Sequence, residues 1–296
     1  MSLLGLVVLL AILGVIAFAW FDKSSGRLVS SGKEREYLLY VPETYNPSNP
    51  TPLVISLHGY AEWPAHQMEL SGWNRLADEG GFVVVYPSGS GFPKRWVTSK
   101  QVATPSDSMI DVQFISDLID QLGQEYNIDP SRIYANGLSN GGGMSALLAC
   151  QLSERIAAVG GVSGAYLFSP DDCHPSRPVP MIAFHGTADQ IVPYQGGPSD
   201  WFDIPFPVIP AWIGAWAEQN GCSLTPAELP STGEVTGIRY TGCEQDAEVI
   251  FYTIDGGGHS WPGGEPLPEW IVGHTTQDVD ATQLMWEFFS QYSLDR

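Results

Sequence analysis

Positive charge is the scarcest feature of this 296-residue sequence. Lys and Arg number 13 while Asp and Glu number 33, which gives a formal net charge of −20 at pH 7. Proteins that bind nucleic acid draw most of their affinity from Lys and Arg on phosphates, so we expect no nucleic-acid partner. The same charge repels anionic polymers and acidic membrane surfaces on average.

Cysteine is also rare, with four residues: Cys150, Cys173, Cys222 and Cys243. None forms a C-x-x-C pair, and no Cys/His spacing is typical of zinc, so we expect no metal. Four cysteines allow three disulfide pairings. The pairing of neighbours in sequence, 150 with 173 and 222 with 243, is favoured, and buried free thiols are the alternative. Disulfides would indicate an oxidising compartment.

Charge is absent altogether from residues 3–21, which are apolar throughout. As a helix this segment would be about 28 Å long, close to the thickness of a bilayer's hydrocarbon core. Ala17 and Ala19 form an A-x-A-like cleavage site, which favours a signal peptide, whereas the length favours an uncleaved membrane anchor. A buried core helix is the remaining alternative. We therefore assign residues 1–26 to a signal peptide or anchor with a short linker.

The rest of the chain, residues 27–296, alternates short apolar runs with helical periodicity. Strands are predicted at residues 36–41, 53–57, 82–86, from 132, and at 157–162, 179–184, 236–240 and 248–254. Helices are predicted at residues 67–78, 109–126, 141–152, 208–220 and 279–292. This alternation predicts one α/β domain with a mostly parallel sheet covered by helices on both faces. Sites in such sheets lie at the carboxyl ends of the strands.

The segment Gly137-Leu138-Ser139-Asn140-Gly141 matches the pattern G-x-S-x-G. A predicted strand runs into it and a predicted helix leaves it, which is the context of a nucleophile elbow. Side chains two positions either side of the serine would clash in so sharp a turn, so glycine is needed at both. We expect Ser139 to be a nucleophile; a merely structural strand–turn–helix is the alternative.

A serine hydroxyl needs a base that is oriented by a third group, and the elbow architecture requires the order Ser, Asp or Glu, then His. His259 follows the last predicted strand in a glycine-rich loop and is the predicted base, with His274 as its rival. Asp189 follows the predicted strand at 179–184 and is the predicted acid, with Asp200 and Asp203 as alternatives.

The oxyanion of a tetrahedral intermediate needs two further donors. We assign one to the backbone N–H of Asn140, directly after the nucleophile. The other is assigned to the N–H of Tyr60, in the loop after an earlier strand, with Ala61 as the alternative. His58 in the same loop and His185 at the end of a buried strand are interpreted as structural.

Four segments give the chain a family resemblance: ISLHGY at 55–60, GLSNGGGM at 137–144, HGTAD at 185–189 and GHSWPG at 258–263. Together they resemble the polyhydroxybutyrate-depolymerase/feruloyl-esterase group of α/β-hydrolases, over about residues 34–292. The resemblance implies an exported serine esterase that works without a cofactor. It also implies Ser139, Asp189 and His259 as the triad, and it agrees with the local disulfide pairing.

The resemblance further implies that Trp261 flanks the substrate. Trp96 is a second candidate for substrate binding, because it lies in the long predicted loop at 88–107 and aromatic faces stack on flat or apolar groups. Gln113 departs from the family pattern, where a small glycine is common.

The predicted function is hydrolysis of phenolic (feruloyl-type) esters or of aliphatic polyesters through an acyl-enzyme. An acetylxylan or other short-chain carboxylesterase is the first alternative. A serine peptidase of this fold and a membrane-tethered binding protein without catalytic activity are further alternatives. We expect a secreted or periplasmic location, or attachment to a membrane through residues 3–21 with the catalytic domain outside the cytoplasm.

Overall fold

The computed structural model describes residues 25–98, 109–199 and 201–294. The apolar segment at 3–21 and Asp200 lie outside the described residues, so the interpretations placed on them stay predictions. Within the described ranges, no helix has both the length and the apolar character to cross a membrane.

Apolar and β-branched runs form the strands of one ten-stranded sheet. The strands are β1 (Gly26–Ser30), β2 (Lys33–Tyr40), β3 (Thr51–Leu57), β4 (Val83–Pro87), β5 (Ile128–Leu138), β6 (Ala158–Val162), β7 (Met181–Gly186), β8 (Ala227–Thr232), β9 (Val235–Tyr240) and β10 (Val249–Ile254). The helices are α1 (Pro64–Ser71), α2 (Trp73–Gly80), α3 (Ile110–Glu125), α4 (Asn140–Gln151), α5 (Ile209–Gln219), α6 (Glu269–Val272) and α7 (Ala281–Phe289).

The strand order is β1-β2-β4-β3-β5-β6-β7-β10-β9-β8. The six strands from β4 to β10 in this order run parallel to one another, and the antiparallel strands extend the sheet on both sides. The chain passes from β3 outward to β4 and then returns to the other side of β3 as β5. This reversal opens a crevice at the carboxyl ends of β3 and β5, where open α/β sheets bind their ligands. The predicted α/β-hydrolase architecture is confirmed.

Most predicted elements occur within a few residues of their expected bounds, with four differences, one of which is that the short helix α6 is not predicted. The single helix expected at 67–78 is two helices, because Gly72 takes a left-handed conformation (φ 63°) between α1 and α2. Strands β1 and β8 are not predicted at all. Five of the six residues of β8 are exposed, so it carries no apolar periodicity.

The two faces of the sheet carry separate apolar clusters. On one face α3, α4 and α5 pack over the strands, with Phe114, Leu148 and Trp216 fully buried. On the other face α2 and α7 pack over the sheet, where Trp73 and Phe289 stack with ring centroids 6.2 Å apart. The loops at the carboxyl ends of the strands therefore rest on a rigid three-layer base.

Two disulfides join Cys150 to Cys173 and Cys222 to Cys243. These are the pairs that are closest in sequence, with separations of 23 and 21 residues. The first ties the end of α4 to the segment before β7, and the second ties the residues after α5 to the segment after β9. Disulfides of this kind persist in oxidising compartments.

One ion pair is fully buried between β2 and α3. Arg35 donates to Asp111 at 2.8 Å, and their side chains are 6% and 0% exposed. The other oxygen of Asp111 accepts the Val97 N–H at 2.8 Å, and the Arg35 guanidinium lies 3.9 Å from the Phe114 ring centroid. Removing one partner of a buried ion pair leaves the other charge buried and unpaired. This destabilises the fold by more than the intact pair stabilises it.

We predict that Asp111→Asn lowers the free energy of unfolding by about 3–5 kcal/mol, because Arg35 stays buried without a carboxylate. Urea denaturation measures the effect. The control is Glu34→Gln, which removes an exposed partner of Arg27 and should change stability by less than about 1 kcal/mol. Equal effects of the two substitutions would contradict the prediction.

Candidate active site

Ser139 stands at the turn between β5 and α4 in a strained backbone conformation, with φ 55° and ψ −118°. A Cβ on Gly137 would come within 2.6 Å of the Leu57 carbonyl oxygen, and one on Gly141 would overlap that same oxygen. Both glycines are thus required by the closeness of β3. The turn has the geometry expected of a nucleophile elbow.

Backbone hydrogen bonds hold the turn on three sides. The Ser139 N–H donates to the Val162 carbonyl at 2.9 Å, which ties the turn to the end of β6. The Ser139 carbonyl accepts from Ala165 N–H at 2.9 Å and from Gly143 N–H at 3.0 Å. Several hydrogen bonds that hold the same turn can keep a non-glycine residue in a strained backbone conformation.

Asp189 lies three residues beyond β7 and is 5% exposed. One carboxylate oxygen accepts the N–H groups of Ile191 and Val192 at 2.9 and 2.8 Å. The other lies 2.8 Å from His259 Nδ1. Burial alone would raise the pKa of Asp189, but His259 and His185 beside it hold that pKa well below its usual range. The carboxylate is therefore ionised at neutral pH.

His259 follows β10 in a loop that packs tightly against its neighbours. Its N–H donates to the Val272 carbonyl at 2.5 Å, and the preceding Gly258 N–H donates to the His274 carbonyl at 2.8 Å. Because a carboxylate only accepts, the proton between His259 Nδ1 and Asp189 belongs to the imidazole. In the neutral ring this leaves Nε2 unprotonated and able to accept a proton. Strands β5, β6, β7 and β10 are successive parallel neighbours, so Ser139, Asp189 and His259 come to the same edge of the sheet.

The rival residues occupy other environments. His274 Nε2 lies 2.7 Å from Glu234 Oε1 and the side chain is 46% exposed. Asp203 is exposed, and no contact joins it to a histidine among the described residues. His185 is buried, with Nε2 2.9 Å from the Val192 carbonyl.

The two candidate oxyanion donors in the loop after β3, the N–H groups of Tyr60 and Ala61, differ in their hydrogen-bond partners. The Ala61 N–H is occupied by the Lys94 carbonyl at 2.8 Å, whereas no acceptor pairs with the Tyr60 N–H within the described parts of the chain. Tyr60 and Asn140 line the same cleft as Ser139. Gly59 N–H donates to Glu62 Oε2 at 2.9 Å, which closes the loop on itself.

His58 supports this loop from beneath. Its Nδ1 lies 2.7 Å from the Gly59 carbonyl, so Nδ1 carries the hydrogen, and Nε2 accepts the Gly89 N–H at 2.9 Å. Complete burial lowers the pKa of His58 to about 4, so the ring is neutral near pH 7. A neutral ring that uses both nitrogens in backbone hydrogen bonds is a structural support.

The side chain of Asn140 has a contact that the sequence does not reveal. Its Oδ1 accepts the Trp96 N–H at 2.6 Å and its Nδ2 donates to the Trp96 carbonyl at 3.1 Å. Trp96 in turn donates through Nε1 to the His58 carbonyl at 2.9 Å. The residue after Ser139 thereby connects the loop after β4 with the loop after β3.

The two tryptophans expected to contact the substrate are buried instead. Trp96 is 2% exposed and is held by His58 and Asn140, while Trp261 is 1% exposed and donates to Thr282 Oγ1 at 3.0 Å. Neither ring lines the cleft beside Ser139, so their contact with substrate stays a prediction that their burial does not favour. The side chains that line the cleft beside Ser139 and Asn140 are Tyr60, Ala165, Leu167, Val192, Phe202, Ile204 and Phe206.

The cleft is small and apolar, with a cavity volume of about 60 Å³. Phe202 and Tyr60 face each other across it in an edge-to-face arrangement, with ring centroids 5.5 Å apart. Nothing in the sequence pattern marks Phe202, since it sits in an irregular Trp/Pro-rich loop. Among the described residues, no group of three or more His, Cys, Asp or Glu side chains could hold a metal ion.

Comparisons with known proteins agree with this geometry. A family model described as esterase PHB depolymerase matches residues 35–176. A putative esterase from Nocardia uniformis subsp. tsuyamanensis is 29% identical, over 88% of this chain and 80% of that protein. Feruloyl esterase C from Emericella nidulans is 28% identical, over 86% of this chain and 83% of that protein.

A bifunctional acetylxylan esterase/xylanase from Neocallimastix patriciarum is 29% identical over 89% of this chain, but the chain spans only 34% of that protein's length. Among solved structures, an acetyl xylan esterase from Aspergillus awamori superposes with a TM-score of 0.62 at 16% identity, over 90% of this chain and 98% of that one. The resemblance carried by the four sequence segments is confirmed. The chain is a carboxylic ester hydrolase of the α/β-hydrolase fold, and over residues 35–176 it is similar to the family described as esterase PHB depolymerase.

Proposed function

We propose that Ser139, His259 and Asp189 are the catalytic triad of this esterase and that it cleaves uncharged esters with apolar acyl groups. The observation that carries the proposal is the 2.8 Å contact between His259 Nδ1 and Asp189, at the sheet edge where Ser139 stands on a strained turn. The pair supplies an oriented base, and the turn supplies a serine hydroxyl that lines the cleft.

The reaction then proceeds in two halves. Ser139 Oγ attacks the ester carbonyl carbon and its proton passes to His259 Nε2. The tetrahedral intermediate collapses, the C–O bond to the alcohol breaks, and the alcohol leaves with the proton from His259. Water then attacks the acyl-enzyme by the same route, which releases the carboxylic acid and restores Ser139. Asp189 orients the imidazole and stabilises its protonated form throughout.

The backbone N–H groups of Tyr60 and Asn140 are the donors we assign to the oxyanion. Within the described residues the Tyr60 N–H has no acceptor, whereas the Ala61 N–H donates to the Lys94 carbonyl. Tyr60 is therefore favoured over Ala61 as the oxyanion donor. The Asn140 N–H is at the first turn of α4, where a helix leaves its backbone N–H groups without partners and favours negative charge.

The substrate class follows from the lining of the cleft. Leu167, Phe202, Ile204 and Phe206 offer apolar surface and no charge, which suits a phenolic (feruloyl-type) acyl group or an aliphatic polyester chain. Exposed aromatics lie on the loops that surround this edge, with Phe92 and Trp270 86% and 85% exposed. Such surfaces favour contact with apolar or insoluble esters over strongly anionic ones.

A short-chain carboxylesterase, including one acting on acetylated xylan, is the second candidate. The observation that favours it is the small volume of the cleft, about 60 Å³, which fits an acetyl group more readily than a long acyl chain. Initial rates on methyl ferulate, hydroxybutyrate oligomers and acetylated xylan, measured side by side, decide between the classes.

We further propose export from the cytoplasm, supported by the two disulfides and the apolar segment at 3–21. Nucleic acid is not a proposed partner, because of the net charge of −20. Attachment to a membrane through residues 3–21 is the alternative to cleavage after Ala19. Mass spectrometry of the mature N-terminus distinguishes the two.

Ser139→Ala is expected to lower kcat for p-nitrophenyl acetate at least about 1,000-fold, because the nucleophile is removed while the binding surface stays. Ser145→Ala, one and a half turns further along α4, is the matched control and should retain activity within a few-fold. Activity of the Ser139 variant close to that of the unsubstituted enzyme would overturn the proposed triad.

Asn140→Ala should lower kcat for the same ester about 10- to 100-fold with little change in KM, because the Trp96 backbone loses both of its hydrogen bonds to the Asn140 side chain and the oxyanion donors are displaced. Asn127→Ala is the control, since it removes a side-chain bond to the Pro47 carbonyl at the opposite end of β5. A loss confined to KM would contradict the assigned role.

Phe202→Ala should reduce kcat/KM for methyl ferulate about tenfold, mainly through KM, while p-nitrophenyl acetate changes less than about threefold. The reason is the loss of apolar contact along the acyl chain. Leu224→Ala serves as the control, because Leu224 is an exposed apolar residue that does not line the cleft. Equal losses on both esters would argue against an apolar acyl site at Phe202.

A further inference from the structure

A second histidine lies against the carboxylate of Asp189. His185, the fifth of the six residues of β7, has its Nε2 3.4 Å from Asp189 Oδ2, the same oxygen that pairs with His259. Its side chain is 1% exposed. The elbow chemistry described above makes no use of this residue.

The position of the hydrogen on His185 follows from its partners. Nε2 lies 2.9 Å from the carbonyl oxygen of Val192, which can only accept, so Nε2 must carry a hydrogen. Asp189 Oδ2, which can only accept as well, lies 3.4 Å from the same Nε2, further away than the Val192 carbonyl. The N–H of Val192 donates to the other oxygen of Asp189 at 2.8 Å. His185, Val192 and Asp189 thus form a closed set of polar contacts in the turn after β7.

We infer that His185 is a positioning residue that sets the strength of the Asp189–His259 pair by sharing the same carboxylate oxygen. This inference rests on the proposed triad. A donor on that oxygen stabilises the negative charge of Asp189 independently of His259. The carboxylate then has less charge to offer the protonated imidazole, so His259 gives up its proton more readily and the enzyme stays active at lower pH.

Within the described parts of the chain, few other titratable or charged side chains lie close enough to alter the Asp189–His259 pair. Among the described residues, the titratable side chains in contact with His185 are Asp189 and Tyr194, whose ring centroid is 6.0 Å away, and His259 contacts the same carboxylate from the loop after β10. The Tyr194 hydroxyl pairs with Thr253 Oγ1 at 3.0 Å. His274 lines the far side of a small neighbouring cavity and pairs with Glu234.

The sign of the effect separates this role from a purely structural one. If His185 shares the carboxylate, its removal strengthens the attraction between Asp189 and protonated His259. The acid limb of kcat/KM against pH then moves to higher pH. If His185 only supports the fold of the turn, its removal weakens the Asp189–His259 contact, and the acid limb stays or moves to lower pH.

The test compares two variants of the full chain. His185→Phe keeps the ring volume and removes the donor, whereas His185→Gln keeps an N–H within reach. We expect the acid limb for p-nitrophenyl acetate to move up by about half a pH unit in His185→Phe and to stay within about 0.2 units in His185→Gln. An unmoved or lowered acid limb in His185→Phe overturns the inference.

A measurement on the unsubstituted enzyme keeps the inference testable if His185→Phe does not fold. Long-range ¹H–¹⁵N NMR of the histidine rings should show Nε2 of His185 protonated from pH 5 to 8. An unprotonated Nε2 would remove the donor and overturn the inference. Titration of reactive serines with diethyl p-nitrophenyl phosphate tests the triad separately: no label at Ser139 refutes the triad, whatever the tautomer of His185.

Discussion

The close approach of the turn at Ser139 to the end of β3 is the constraint on which the rest of the site depends. Side chains at Gly137 and Gly141 would collide with the Leu57 carbonyl, so the two strands can meet this closely only with glycine at both positions. Leu57 is the last residue of β3, and the loop with Tyr60 begins directly after it. The same contact that forces the backbone of Ser139 into strain therefore places the candidate oxyanion donors beside it.

Buried polar groups extend this arrangement outward from the turn. Asn140 holds both backbone groups of Trp96, and the next residue, Val97, donates to Asp111, whose charge is balanced by Arg35. A buried ion pair between β2 and α3 thus supports the loop that rests against the turn at Ser139. In a chain with 13 cations and 33 anions, one of the few arginines is committed to the interior rather than to a ligand.

Local patterns were enough to predict the parallel core of the sheet. The apolar runs of β3, β4 and β7 are buried on both sides, so their sequence carries the signal of the fold directly. Strand β8 escaped prediction because it lies at the sheet edge and exposes most of its side chains, so pairing with β9 alone makes it a strand. Pairing with a neighbouring strand thus outweighs the local β-propensity of the β8 sequence.

The side chains that line the cleft could not be predicted from the sequence. Whether a loop residue is buried or faces the cleft depends on its neighbours in space and not on its residue type. Trp96 and Trp261 have the residue type that suits a flat ligand, yet the indole nitrogen of each is used inside the protein, and both rings are buried. Phe202 carries no such signal and lines the cleft. Which aromatic meets the ligand is decided by how the loops after β4, β7 and β10 pack against the turn at Ser139. That packing joins residues as far apart in sequence as Tyr60 and Phe202, so no window of the sequence contains it.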